Sequence, residues 1–367
     1  MTRTRAGRAA AWMMTVWGVG VLGAAGCATS PNSLDLAPAV QEARGYLRQQ
    51  LLSADSPAVR AEAIEGMQAV PWPQAARYIE HALSDPYRGV RFAACMALAH
   101  LRDAESANLL QAQLKDANPA VRAAAIFALH RLGDTSHTKE LAGLLLYSPD
   151  QEVRRNVALI FAELGDPKAM PVLRRAIRDS DIAVRWHVHE AMARLGDKEA
   201  MERLILFAHS GYGDERLIGI MALGRIGDRQ ACSCLQDMLR RDNPPEVKLA
   251  AVRALGQIGV PAGEDFARKA LAWVPEKPGK DVPVEPREVR QVRIRSMAAM
   301  ALAEAGKPEA VNDLLQAMRQ DNPRVGVACA AAILRIASRS GNLEPEGPPA
   351  PAGLPNRVVP ARSGQAP

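Results

Sequence analysis

The chain has 367 residues, with 46 Lys and Arg against 40 Asp and Glu, and 48% hydrophobic but only 4% aromatic side chains. So few aromatics in so apolar a chain points to Ala- and Leu-rich helix packing and away from a β-sandwich, while the length admits two ordinary domains or one elongated array. The first element in chain order is "MTRTRAGRAAAWMMTVWGVGVLGAAGC", in which Arg3, Arg5 and Arg8 precede an uncharged apolar run from Ala9 to Gly26. This is the layout of a secretory signal, a basic segment followed by an apolar one that ends in small residues. A membrane-spanning helix is the alternative, although the run is glycine-rich and only marginally long enough to span.

The residues Ala24-Ala25-Gly26-Cys27 resemble the lipobox of bacterial lipoproteins. That resemblance implies cleavage after residue 26 and acylation of Cys27, with attachment to an envelope membrane through several acyl chains. One chain alone binds only marginally. Ala24 stands where leucine is commonest in that family. Ala28 stands where aspartate would signal inner-membrane retention, which implies the outer membrane in a two-membrane cell. Removing residues 1–26 leaves 43 basic and 40 acidic side chains, a charge too small to suggest a nucleic-acid partner.

After a short tether to residue 37, one unit recurs from 38 to 338. "SPAVRAEAIEGMQAV", "YRGVRFAACMALAHLRD", "NPAVRAAAIFALHRLGD", "QEVRRNVALIFAELGD" and "IAVRWHVHEAMARLGD" share a Val-Arg start and helical apolar spacing. "DERLIGIMALGRIGD", "PEVKLAAVRALGQIG" and "VRIRSMAAMALAEAG" continue the series. The cationic position runs Arg60, Arg91, Arg122, Arg154, Arg185, Arg216, Lys248 and Arg295, in steps of 31 or 32 residues and then one of 47. A final copy, "NPRVGVACAAAILRIAS", has Gly326 in that place. Between copies lies a second helical pattern such as "AESANLLQAQLKD", giving about nine helix pairs. Gly133, Gly165, Gly196 and Gly227 close the Val-Arg helices. Asp134, Asp166, Asp197 and Asp228 follow and can cap the next helix. Asp85, Asp116, Asp179 and Asp242 lie in the turn within each pair, where they can cap the Val-Arg helix. The long step contains "PEKPGKDVPVEPRE", residues 275–288, a proline-rich loop. The tail from residue 339 is Pro/Gly-rich and cannot build a core.

This pattern resembles the HEAT-repeat family, in particular the short HEAT-like repeats first associated with phycobilisome lyases. The resemblance implies an all-α, right-handed solenoid whose Val-Arg helices line the concave side. It also implies that the cationic series forms an inter-repeat ladder with the turn aspartates. It says little of function, because the family includes scaffolds, bilin lyases and iron enzymes.

In "NPAVRAAAIFALHRLGD" the stripe Val121, Ala125, Ala128, Leu129 and Leu132 spans about 80° of the helix, and Phe127 falls almost opposite. The positions two and six after the Val share that side: Phe92, Met96, Phe127, Leu159, Trp186, Leu217, Met221 and Met300, interleaved with Glu65, Arg155, Glu190, Arg253 and Ser296. Tight curvature would bury such a row between neighbouring repeats. A more open array would leave it as an apolar groove for a helix or extended segment of a protein partner. For chemistry, "RWHVHE" offers His189-Glu190, which resembles one of the His-Glu pairs of HEAT-repeat deoxyhypusine hydroxylases. No second pair occurs, so the pair is a weak metal candidate, and no cofactor is implied. Cys95, Cys232, Cys234 and Cys329 read as packed thiols. The reading that follows is a lipid-anchored, non-catalytic scaffold at the bacterial envelope. The alternative is a HEAT-repeat enzyme or enzyme subunit, iron-dependent hydroxylase-like or bilin lyase-like.

Overall fold

A computed structural model describes residues 35–343, apart from 71, 73, 276–285, 321 and 342. Cys27, the tether up to 34, most of the long insertion and the tail from 344 lie outside the described residues. The described residues contain helices and turns and no strand. They form nine pairs: α1 (Ala37–Ser53) with α2 (Pro57–Gln68), α3 (Ala75–Ala82) with α4 (Arg88–Leu101), and α5 (Ala107–Gln113) with α6 (Pro119–Arg131). Next come α7 (Glu140–Tyr147) with α8 (Gln151–Leu164), α9 (Met170–Ala176) with α10 (Ile182–Arg194), and α11 (Lys198–Ala208) with α12 (Gly213–Ile226). The last are α13 (Cys232–Arg240) with α14 (Pro245–Gln257), α15 (Glu264–Ala270) with α16 (Arg287–Ala305), and α17 (Val311–Gln320) with α18 (Pro323–Arg339).

Local signals explain the boundaries. Gly165 (φ 65°) and Gly227 (φ 77°) end α8 and α12 in the left-handed conformation, which an L side chain enters only at a cost. Asp166 and Asp228 then accept the backbone N–H groups of Lys168 and Gln230 and start the next turn, and Asp197 does the same for Ala200. The equivalent of these glycines in the second pair is Arg102, held at φ 53°. The turn aspartates behave differently from expectation. Asp85, Asp116 and Asp179 do not cap the inner helices but accept the N–H of Tyr87, Asn118 and Asp181, the residues that stand at the N-cap. This leaves each carboxylate free to receive an arginine from the preceding pair.

The even-numbered helices pack side by side and the odd-numbered ones lie outside them. The row does not end: α18 packs against both α1 and α2, so the ninth pair meets the first and the solenoid closes into a ring. Small residues make this possible. Gly66 of α2 lies against Ala331 of α18, and a side chain at Gly326 would run into the Tyr46 hydroxyl. Ala123, Ala124 and Ala125 of α6 are fully buried. Over this alanine face α4 and α8 come together, with Arg88 3.0 Å from Glu152 and His100 3.4 Å from Glu163. The core is one continuous apolar layer between the two helix rows, and each Leu or Ile in it contributes roughly 1.5–3 kcal/mol by leaving water.

Candidate functional site

The cationic series divides. Arg60, Arg91 and Arg154 each form a two-pronged pair with the aspartate 25 residues on, Asp85, Asp116 and Asp179, at 2.7–3.1 Å. The remaining guanidinium nitrogen of each bonds carbonyls of its own turn, as in Arg91 to Asp85 O at 2.8 Å. These are the expected ladder rungs. The role does not extend to Arg122 and Arg185, because the position 25 residues later holds Tyr147 and Ser210. Both arginines bond only the carbonyls of their own turn, at residues 116–117 and 179–180. Arg216 reaches Ser210 O and Asn243 Oδ1, Lys248 lies over the Phe266 ring, and Arg295 donates to Trp273 O. Arg91→Ala should therefore lower stability by about 1–3 kcal/mol, since it strands the shielded Asp116, while Arg122→Ala should cost under about 1 kcal/mol. Urea midpoints of the two variants check this, and equal shifts would remove the distinction.

The expected open groove is not what the structure shows. Phe127 is 1% exposed, Phe92 7%, Met96 6% and Trp186 8%. Leu159, Leu217, Met221 and Met300 are half-buried. Ring closure is the reason. It turns the concave side into an interior, where Phe127 sits edge-on to His100 at 5.9 Å.

That interior has a second layer ten residues after the Val position of the repeat, charged or histidine in seven of the nine pairs: His100, Arg131, Glu163, Arg194, Arg225, Glu304 and Arg335, with Ala69 and Gln257 in the first and seventh. Glu163 is 2.5 Å from Arg194 and 3.4 Å from His100. Burial opposes ionisation of Glu163, but His100 and Arg194 outweigh it and hold the carboxyl down at about 2. Glu190 is gripped at both oxygens by Arg225, at 2.6 Å each, with His187 3.5 Å away. These partners overcome its burial and keep it well below the usual carboxylate range. Burial pulls the Arg253 guanidinium down to about 10, opposed by Glu304 and Glu65. The basic surplus in this layer faces helix C-termini, each of which carries about half a negative charge. Consistent with that, Arg339 donates to the carbonyls of Glu304 and Gly306, and Arg335 to that of Ala69. Compensation is incomplete at Arg131, whose Nε is buried without a hydrogen-bond partner and whose pKa is lowered by that burial and by Arg102.

One cleft of about 720 Å³ opens between the fifth and sixth pairs, lined by Ile182, Trp186, His189 and Met192 of α10, Leu206 and Phe207 of α11, and Glu215 of α12. Its origin is local. Gly219 lets the backbone of α11 rest directly on α12, where a Cβ would meet Ala208 N at 2.5 Å. This draws α11 toward α12, and α10 and α12 touch more sparsely than any other inner neighbours. Phe207 projects into the gap, edge-on to Trp186 (6.5 Å) and His189 (5.8 Å). Leu206 and Ile182 stand at the mouth, 60% and 44% exposed, and Arg174, Arg203, Glu199 and Glu202 form a mixed rim. Burial, with Arg203 nearby, lowers the His189 pKa and keeps it neutral.

His189 and Glu190 part company here. The first faces this cleft, while the second is engaged by Arg225 in the inner layer, so the pair does not converge on one point. Among the described residues no group of three or more His, Cys, Asp or Glu is placed to hold a metal ion. Cys95 and Cys329 are buried, and Cys232 and Cys234 half-buried, and none of the four is in a disulfide.

The family model for HEAT repeats matches residues 46–130, 107–165, 138–217 and 204–274, and that for the PBS lyase HEAT-like repeat matches residues 294–320. The chain belongs to the HEAT-repeat family. Among solved structures it is similar to the complex of CpcE and CpcF of phycocyanin lyase from Nostoc sp., at 17% identity over 76% of this chain and all of that one, TM-score 0.42. It is also similar to human deoxyhypusine hydroxylase, at 19% identity over 82% of this chain and 98% of that one, TM-score 0.36. Likeness at this level shows the repeat fold alone. Comparison with curated proteins gives no match.

Proposed function

We propose that this protein is a lipid-anchored HEAT-repeat scaffold at a bacterial envelope membrane, without catalysis of its own, and that it takes a segment of a protein partner in the cleft between its fifth and sixth pairs. The observation that carries the reading is the cleft itself: an aromatic floor of Trp186 and Phe207, exposed Leu206 and Ile182 at the mouth, and a charged rim. Large apolar groups framed by polar ones are the anatomy of a binding hot spot. HEAT-type arrays serve mostly as platforms for such contacts. The anchoring half of the proposal rests on the motif ending at Cys27. No helix among the described residues is long and apolar enough to cross a membrane.

Leu206→Asp tests the docking half, because an exposed leucine contributes little to the fold. Affinity capture from native membranes should lose the partner with the melting temperature unchanged. Undiminished capture by Leu206→Asp and Ile182→Asp alike would remove the cleft from the function. For anchoring, Cys27→Ser should leave the precursor uncleaved and unacylated and change its partition into detergent. A normally processed, membrane-bound variant would defeat the lipobox reading.

A further inference from the structure

Along the edge formed by the turns within pairs, the arginine ladder breaks into two runs. The first passes through Arg60, Asp85, Arg91, Asp116 and Arg122, the second through Arg154, Asp179 and Arg185. Each run has one arginine more than it has aspartates, and the surplus arginine stands at its end.

Arg122 and Arg185 are mounted as the rung arginines are. In all five residues Nη1 is tied to a carbonyl of its own turn at 2.7–2.8 Å. In the rungs the remaining fork, Nε and Nη2, meets both oxygens of an aspartate from the next pair. In Arg122 and Arg185 the same fork has no hydrogen-bond partner among the described residues. Tyr147 and Ser210 hold the aspartate's place and are engaged elsewhere. The Tyr147 hydroxyl accepts from Arg175 Nη2 at 3.0 Å, and that of Ser210 donates to Glu215 at 2.6 Å. Asp150, the acid in the turn after Arg122, accepts the N–H of Glu152 at 2.8 Å.

A guanidinium anchored at one nitrogen has lost much of its freedom before a ligand arrives, and its planar fork fits a carboxylate at both oxygens. Next to the forks the chain exposes Tyr147 (71%) and Tyr212 (75%). Tyr212 is in the register of Tyr87, whose ring lies 5.4 Å from the Arg60 guanidinium. The same arrangement offers a cover for an ion pair made at Arg185.

We infer that Arg122 and Arg185 receive two carboxylates of a protein partner, an acidic extended segment that lies along the turn edge from the third pair to the fifth and completes the ladder in trans. Packed helices stand about 8–10 Å apart, so two repeats separate the forks by about 16–20 Å, the span of about five or six extended residues. The inference does not depend on the apolar cleft, since Arg185 borders the cleft but Arg122 does not.

The probe is a fluorescein-labelled Gly/Ser-rich peptide with two aspartates about six residues apart. It is titrated with the full-length protein at about 0.1 M salt, where the Debye length is about 10 Å, and read by fluorescence anisotropy. It should bind about tenfold or more tighter than the same peptide with asparagines, because each fork adds a charged two-pronged contact. Arg122→Ala and Arg185→Ala should each weaken it about threefold or more, and together erase the preference for aspartate. Tyr147→Asp with Ser210→Asp supplies the carboxylates from within, so it should erase the preference and raise the melting temperature. The arginine variants carry the test if that protein does not fold. Equal binding of the two peptides, or a preference for aspartate that survives loss of both arginines, would overturn the inference. Equal binding of a peptide with its aspartates adjacent would overturn the two-fork span. Displacement by inorganic phosphate as readily as by unlabelled aspartate peptide would overturn the assignment to carboxylates.

Discussion

Arg225→Ala is expected to lower stability by about 3–5 kcal/mol, among the largest losses for any single substitution of a charged residue in this chain. The figure is the usual cost of leaving one member of a buried pair uncompensated. Glu190 is almost wholly inaccessible, and without Arg225 only His187, 3.5 Å away, would face it. The double variant Glu190→Leu with Arg225→Leu should cost much less, because it removes both desolvation penalties together. Urea unfolding of the three proteins measures this, and a single variant within about 1 kcal/mol of the parent would show that solvent reaches the pair. The pH dependence carries a sign. The carboxyl of Glu190 is held below its ordinary 4.5 in the folded protein, as is that of Glu163. Their stabilisation is complete above about pH 4.5 and is lost as pH falls toward the folded values. In Arg225→Ala burial acts on Glu190 with little opposition and raises its folded pKa. The gap between variant and parent should therefore narrow as the solution is acidified.

The repeat was legible because its signals are local and recur. Val-Arg starts, glycine stops and capping aspartates announced about nine pairs. The glycines and the aspartates that follow them agree with the observed φ values and hydrogen bonds, whereas the turn aspartates Asp85, Asp116 and Asp179 serve the arginine rungs and not the caps. Three rungs of the arginine series followed the family pattern. The broken rungs could have been anticipated by asking what stands 25 residues after each arginine, since Tyr147 and Ser210 offer no carboxylate. The inner charged layer was also within reach of the repeat register, since seven of the nine pairs place a charged residue or histidine ten residues after the Val position. Closure was not legible. Whether nine pairs make an open arc or a ring depends on small rotations at each junction, and these arise from alanine and glycine contacts spread over the whole chain. That one fact decides the apolar row. The same Phe127 that an open arc would present to solvent becomes, in a ring, a residue packed against His100. The cleft was hidden for a similar reason, since it depends on the backbone approach at Gly219.

Phe127→Ala and Trp186→Ala, which the sequence places in one row, should now give different results. Phe127 is enclosed on all sides in the ring interior, and its removal leaves a cavity that the alanine-rich neighbours of α6 cannot fill. The expected loss is about 3–5 kcal/mol, the range for deleting a buried aromatic. Trp186 borders the cleft, so water can enter the space it vacates and Phe207, 6.5 Å away, can settle into it. Its loss should cost nearer 1–3 kcal/mol in stability and about 2 kcal/mol or more in partner binding, the mark of an aromatic anchor. Phe127→Ala, assayed at a temperature where it remains folded, should retain the partner. Thermal unfolding and membrane capture on the two proteins separate the roles. Equal stability losses would mean that the cleft is closed in solution. Retained capture by Trp186→Ala would move the docking site away from the aromatic floor and toward the exposed side chains at its mouth.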